Sequence, residues 1–118
     1  MYICLMYSNE LIKGTLRTII LKLLAQNNRM YGYEITQKVK ELTEGEIVLT
    51  EGALYPMLHK LEAEGAVTIE LVNIGKRVRK YYRLTDVGSA EAKDRVNEFN
   101  RFIETMKLIL NHQIALFI

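Results

Sequence analysis

The sequence predicts a mainly α-helical fold with one small two-stranded β-hairpin and a long C-terminal helix. Three observations predict it. Apolar residues recur at three- and four-residue spacing in four stretches, 12–24, 35–42, 54–61 and 96–117. Branched and aromatic residues alternate with polar ones in two short runs, VTIELV and KYYRLT. A chain of 118 residues, 49% hydrophobic and 25% charged, has the composition of one ordinary globular domain, long enough to bury a single core without disulfides or metal.

The first helix opens at Ser8 or Asn9, whose short polar side chains can accept from free N–H groups of a first turn. Ile12, Leu16, Ile19, Ile20, Leu23 and Leu24 form its apolar face, with Lys13, Arg17 and Lys22 turned elsewhere, and it ends near Gln26–Asn28. The second begins around Tyr31–Gly32, carries Ile35, Val39 and Leu42 on one face and stops before Gly45. The third lies within TEGALYPMLHKLEAEG, with Leu54, Leu58 and Leu61 facing the core and Gly65 as a left-handed stop. Its start is open: Thr50 is a good cap with Glu51 behind it, but Pro56 lacks an N–H and fits best in a first turn, which favours a start near Leu54. Val67, Ile69 and Leu71 alternate in the first strand, and Tyr82 and Leu84 in the second. Between them NIGKRVR holds Gly75 where a hairpin turn needs positive φ. Thr85–Asp86 caps a last helix running to about residue 115. Its stripe, Val96, Phe99, Ile103, Met106, Leu110 and Phe117, is widened by Phe102, Ile109 and Leu116. A stripe that wide suits two neighbours, its own domain and a second chain, the competing reading being that it covers only its own core. The division expected is a first unit over residues 1–85 and a dimerisation helix over 86–118.

Catalytic and metal-binding patterns are not found. No C-x-x-C, H-E-x-x-H, G-x-S-x-G or phosphate-cradling G-x-x-x-x-G-K-[ST] occurs. His59 and His112 have no second His or Cys at ligand spacing, so no metal, no cofactor and no enzyme activity are expected. The lone Cys4 cannot form an internal bridge; it suits inert packing better than redox sensing. Lys13, Arg17 and Lys22 interrupt the longest apolar run, which falls short of the ~20 residues of a membrane span. MYICLMY has neither a basic flank before it nor a cleavage site after it. A cytoplasmic location without membrane contact is the expectation.

The net charge of +2 hides an asymmetry. Residues 76–83, KRVRKYYR, carry five basic and no acidic groups, and the rest of the chain totals −3. The basic patch lies on the hairpin and its tip. Three helices followed by a strand, a basic turn and a strand are the layout of a winged helix-turn-helix. In that layout the third helix enters a DNA major groove, where base edges differ, and the hairpin reaches phosphates or the minor groove. Thr50, Glu51, Tyr55 and His59 are the side chains free to leave the leucine face of the third helix, with Lys60 on the same side. Lys76, Arg77, Arg79 and Lys80 are placed to neutralise phosphates and release counterions.

At this point the strings KGTLRTIILKLL, MYGYEI, EGALYPMLHKLEAEGAV and GKRVRKYYRLTDVG, in this order, resemble the PadR family of prokaryotic transcription regulators over roughly residues 10–90. The resemblance implies that LYP lies inside the recognition helix, so that the helix starts near Thr50–Glu51. It implies that Tyr31, Gly32 and Tyr33 stand at the N-terminus of the second helix beside the DNA backbone, with one of the two tyrosines mostly buried. It makes Tyr55 the strongest single DNA contact, flanked by Gly52 and Pro56, with the wing lysines and arginines behind it. Homodimers joined through the last helix are also implied, here with Phe99, Phe102, Ile103, Met106, Ile109 and Leu110 at the interface, and with them a palindromic double-stranded operator with half-sites about one turn apart. The C-terminal region is similar to that of the short subgroup. Some short relatives bind flat aromatic drugs through tryptophans; this chain has no Trp. A small hydrophobic effector at Phe99, Phe102, Ile103 and Met106 is the corresponding expectation, weaker than self-packing. The function expected is a dimeric repressor, since occlusion of a promoter suffices; a protein–protein adaptor on the same fold is the alternative.

Overall fold

Helix α1 spans Asn9–Gln26, and the Ser8 Oγ caps it by accepting from the Leu11 N–H at 3.3 Å. The structure is a computed structural model that describes residues 7–113, so Cys4, Leu116 and Phe117 lie outside the described residues. Leu16, Ile20, Leu23 and Leu24 are buried as their spacing predicts, and so is Leu21. Leu21 lies off the stripe because α1 is central and is touched by α3, α4 and the sheet together. Arg17 does not turn to solvent. Its guanidinium donates to both oxygens of Glu91, at 2.5 and 3.0 Å, and pairs with Glu64 at 2.6 Å, while Arg95 also donates to Glu91 at 2.6 Å.

Helix α2, Gly32–Leu42, buries Ile35 and Val39 and leaves Leu42 exposed, one turn past the edge of the core. It closes through Glu44 (φ 52°) and Gly45 (φ 83°), whose N–H groups donate to the carbonyls of Glu41 and Lys40. Helix α3, Glu51–Ala63, starts at the Thr50 cap, whose Oγ1 accepts from the Ala53 N–H at 3.2 Å. The late start near Leu54 is therefore wrong, and Pro56 lies inside the helix. Its missing N–H orphans the carbonyl four residues earlier, at Gly52, and Gly52 is exposed, so water can serve that oxygen. At the other end Gly65 (φ 78°) donates to Glu62 O and Ala66 to Leu61 O, a complete left-handed stop.

Three strands form the sheet rather than two. The hairpin of β2 (Val67–Ile74) and β3 (Arg77–Leu84) is joined on the β3 side by β1, Met30–Tyr31, in the antiparallel order β1-β3-β2. A two-residue strand is too short to show alternation. The strands also run further than the expected turn, which is reduced to Gly75–Lys76; Gly75 takes φ 62° at the first central position, as a type II′ turn requires. Met30 and Ile69 both sit opposite Tyr82, and this face closes over Leu54, Leu58 and Leu61. Two residues further on the hairpin outruns the core. Leu71, opposite Lys80, is therefore 63% exposed despite its place in the alternation.

Helix α4, Asp86–Leu110, starts at Thr85, whose Oγ1 accepts from the Gly88 N–H at 3.1 Å and donates to Gly65 O at 2.6 Å. It ends at Leu110, with Asn111 as cap, short of the predicted 115. Gly88 and Ala92 are buried, and the first half of the helix lies against α1. Beyond Phe99 most apolar side chains lack cover among the described residues: Phe102 is 53% and Ile109 65% exposed, while Met106 is half-buried. Among the described residues no helix is long and apolar enough to cross a membrane.

Candidate nucleic-acid interface

Tyr55 ties the third helix to the second. Its ring lies on Gly32, the first residue of α2, with Cζ 2.7 Å and Cε1 3.0 Å from where a β-carbon would stand on that glycine. Only glycine leaves room for the ring, so Gly32 is buried and Tyr55 is half-buried. Glu51, Gly52, Pro56, His59 and Lys60, together with the capping Thr50, are exposed along the rest of α3. At the start of α2 the Glu34 carboxylate accepts from the Tyr31 N–H at 3.1 Å. Tyr33 is 63% exposed and Tyr31 half-buried, so Tyr31 is the packed member of the pair without being fully covered.

The wing sorts its basic residues into those the fold uses and those it leaves to solvent. Arg79 lies over the Tyr31 ring at 3.9 Å, and its hydrogen bond to the Tyr81 hydroxyl, at 3.4 Å, raises its pKa above the ordinary guanidinium value. Tyr31 meets Tyr81 edge-on at 5.4 Å, and Arg29 lies over the Tyr81 ring at 4.1 Å. Arg83 donates to Glu70 at 2.7 Å and to the Asn28 side chain at 2.6 Å. The five basic groups of 76–83 are thus not all uncompensated. Lys76, Arg77 and Lys80 are exposed and in no ion pair among the described residues. Register divides them as well: Arg77 and Arg79 share the outer face of the sheet with Tyr81 and Arg83, while Lys80 points from the opposite face.

Between α2 and the wing lies an open groove of about 500 Å³, lined by Tyr31, Tyr33, Ile74, Arg77, Val78 and Arg79. One wall is the N-terminus of a helix, which offers free N–H groups and the positive end of its dipole. The other carries guanidinium groups. Aromatic and cationic walls suit a polyanion, and the carboxylate at this helix start, Glu34, is engaged by the Tyr31 N–H. Among the described residues no group of His, Cys, Asp and Glu could hold a metal ion.

Comparison with known proteins identifies the family of the fold. Residues 20–94 match the model of the transcriptional regulator PadR-like family. The chain belongs to that family. An uncharacterised protein of Lysinibacillus sphaericus is 32% identical over 108 residues, covering 89% of this chain and 96% of its own. A transcriptional regulator from Clostridium thermocellum is similar in structure, with a TM-score of 0.75 and 30% identity, over 90% of this chain and 99% of that one. The chain is also similar to PadR of Bacillus subtilis, whose structure is in complex with operator DNA, with a TM-score of 0.62 and 34% identity. That match covers 69% of this chain and 46% of the longer one.

PadR-like proteins are transcriptional regulators and not enzymes. Within this PadR-like fold the structure gathers Tyr31, Gly32, Tyr33 and Tyr55 at one corner, and Arg77 and Arg79 across the groove from it. His59 and Lys60 lie later on α3, outside that groove. Sequence reasoning passed over Arg29, Glu70 and Tyr81. The alternation of β2 did put Glu70 on the face away from Val67, Ile69 and Leu71, but the short strand that brings Arg29 beside it carries no such signal.

Proposed function

We propose that this chain is a sequence-specific, dimeric DNA-binding repressor. Its first unit, residues 1–85, binds the operator. The exposed start of α3 enters the major groove, and the wing, with the N-terminus of α2, holds the adjacent phosphates. The observation that carries this reading is the groove between Tyr33 and Arg77, which joins a helix N-terminus to Arg77 and Arg79 of the wing. Tyr55 acts in two ways, reaching toward base edges and fixing the angle between α2 and α3 through Gly32.

The second unit, 86–118, forms the dimer. Support comes from the bare apolar surface of α4, where Phe102, Ile103, Ile109 and Leu110 are all exposed and Phe99 stacks on Phe102 at 6.3 Å. An apolar face of that extent is unusual on a monomer. Two-fold symmetry then implies a palindromic operator, and occupation of a promoter is sufficient for repression.

The test is binding of the purified chain to its own promoter region and to random duplex, by fluorescence anisotropy at rising salt, with mass measured by light scattering. The expected result is a dimer that prefers promoter DNA by at least about 10³-fold, within the usual range for specific binders. Equal affinity for both duplexes would refute specificity. A monomer at binding concentrations would refute the role of α4.

A further inference from the structure

Glu70 is the single carboxylate of the hairpin 67–84. Its two oxygens hold two different guanidiniums: Oε2 accepts from Arg29 at 2.8 Å and Oε1 from Arg83 at 2.7 Å. Both arginines have a second fixed partner, the Tyr81 ring for Arg29 and the Asn28 side chain for Arg83. Arg83 lies on the same face of β3 as Arg79 and Arg77. Residues two apart on a strand are separated by roughly 7 Å. The outer face of the wing therefore carries the free Arg77, the Tyr-held Arg79, then Tyr81, and beyond it two guanidiniums closed by one carboxylate. Arg29, Arg83 and Glu70 are each a third or more exposed, so a phosphate could reach the two arginines.

We propose that Glu70 limits how strongly the wing holds DNA by withholding Arg29 and Arg83 from phosphate, and so preserves discrimination between operator and random sequence. The proposal rests on the DNA-binding reading above. Binding to random duplex is almost wholly electrostatic and can slide to whichever register engages the most cations. Binding at an operator is fixed in register by base contacts. Two more free arginines would therefore strengthen random binding more than operator binding. A carboxylate that closes two of them opposes this at no cost to the free cations at the tip.

The experiment uses the full chain and measures anisotropy on random and promoter duplexes between 0.05 and 0.3 M salt, values of the order used to read such slopes. Glu70→Gln removes the charge at constant shape, and Glu70→Thr, a good strand former opposite Tyr81, is a second charge-free variant. Either should bind random duplex more tightly by up to about 8-fold per released arginine at 0.1 M salt, and should steepen the slope of log K against log salt by up to about 1.8. The ratio of promoter to random affinity should fall. In Arg29→Gln/Glu70→Gln/Arg83→Gln the gain should vanish. An unchanged slope in both single variants would overturn the proposal, provided that Lys76→Ala/Arg77→Ala still flattens it, which keeps the DNA-binding reading alive. A gain that persists in the triple variant would also overturn it, because the arginines would not be what Glu70 withholds. Absence of duplex binding by the wild type would overturn both readings.

Discussion

Gly32→Ala should push Tyr55 off its seat, and the effect can be worked from the geometry. A methyl group on Gly32 would lie 2.7 Å from Cζ and 3.0 Å from Cε1 of the ring. Carbon pairs are comfortable at about 3.5–4.0 Å, so the ring must retreat by roughly 1 Å. The obstacle is the far end of a side chain, so the ring can swing, at a cost of about 0.5–1.5 kcal/mol for leaving its rotamer and some lost packing. Against this, alanine restricts the unfolded chain and is worth about 0.4–1 kcal/mol. With Tyr55 present the two nearly cancel or leave a loss of about 1 kcal/mol. With Tyr55→Ala the clash is gone and only the gain remains. Urea unfolding of the four proteins of this cycle should therefore show Gly32→Ala neutral to destabilising in the parent and stabilising by about 0.5 kcal/mol beside Tyr55→Ala, a coupling of the size expected for touching residues. The same Gly32→Ala variant should lose promoter preference while keeping its affinity for random duplex. An equal effect of Gly32→Ala in both backgrounds would refute the strut role of Tyr55.

Arg17→Met should cost about 2 kcal/mol at neutral pH, below the value for a fully buried pair because Glu64 is half exposed. The Arg17 hydrogen bonds hold the Glu91 carboxyl below its ordinary range, so this contribution is present above the unfolded carboxylate pKa of about 4.3 and lost as pH falls through the lower folded value. Urea midpoints of parent and variant should converge below about pH 4, and a constant gap down to pH 3 would contradict the pairing. Gly88→Ala would bring a methyl group to 2.9 Å from the Ala66 carbonyl carbon and 3.1 Å from Leu84 Cδ2. It should lower stability by about 1–3 kcal/mol although helix propensity favours alanine by about 1 kcal/mol. Gly14→Ala, with nothing within 4 Å, should raise stability by up to about 1 kcal/mol by thermal unfolding.

What the sequence disclosed about this fold was mostly local. Ser8 and Thr85 cap the helices they were expected to cap, because an N-cap depends on residues three or four positions apart, and Thr50 caps α3 as the family resemblance implied. Gly65 and Gly75 take the positive φ their turns require. Pro56 misled propensity because the penalty depends on whether the orphaned carbonyl meets water, which is a tertiary fact; the family resemblance supplied the answer. Met30–Tyr31 was invisible as a strand because its partner lies some fifty positions away and only two residues pair. The alternation of β2 was right about direction and wrong about burial at Leu71, since the pattern does not say where the core stops. The basic run located the wing, but which cations remain free was decided by Glu70, Tyr31 and Tyr81, brought together only by the sheet.

The central claim is a division of labour, phosphates to the wing and bases to the start of α3, and salt dependence tests it most directly. For Lys76→Ala/Arg77→Ala the slope of log K against log salt should flatten by up to about 1.8, at about 0.9 per phosphate, on promoter and random duplex alike. For Tyr55→Ala the slope should hold while promoter preference falls. A wing variant with the parent slope, or a Tyr55 variant that weakens both duplexes equally, would contradict the account.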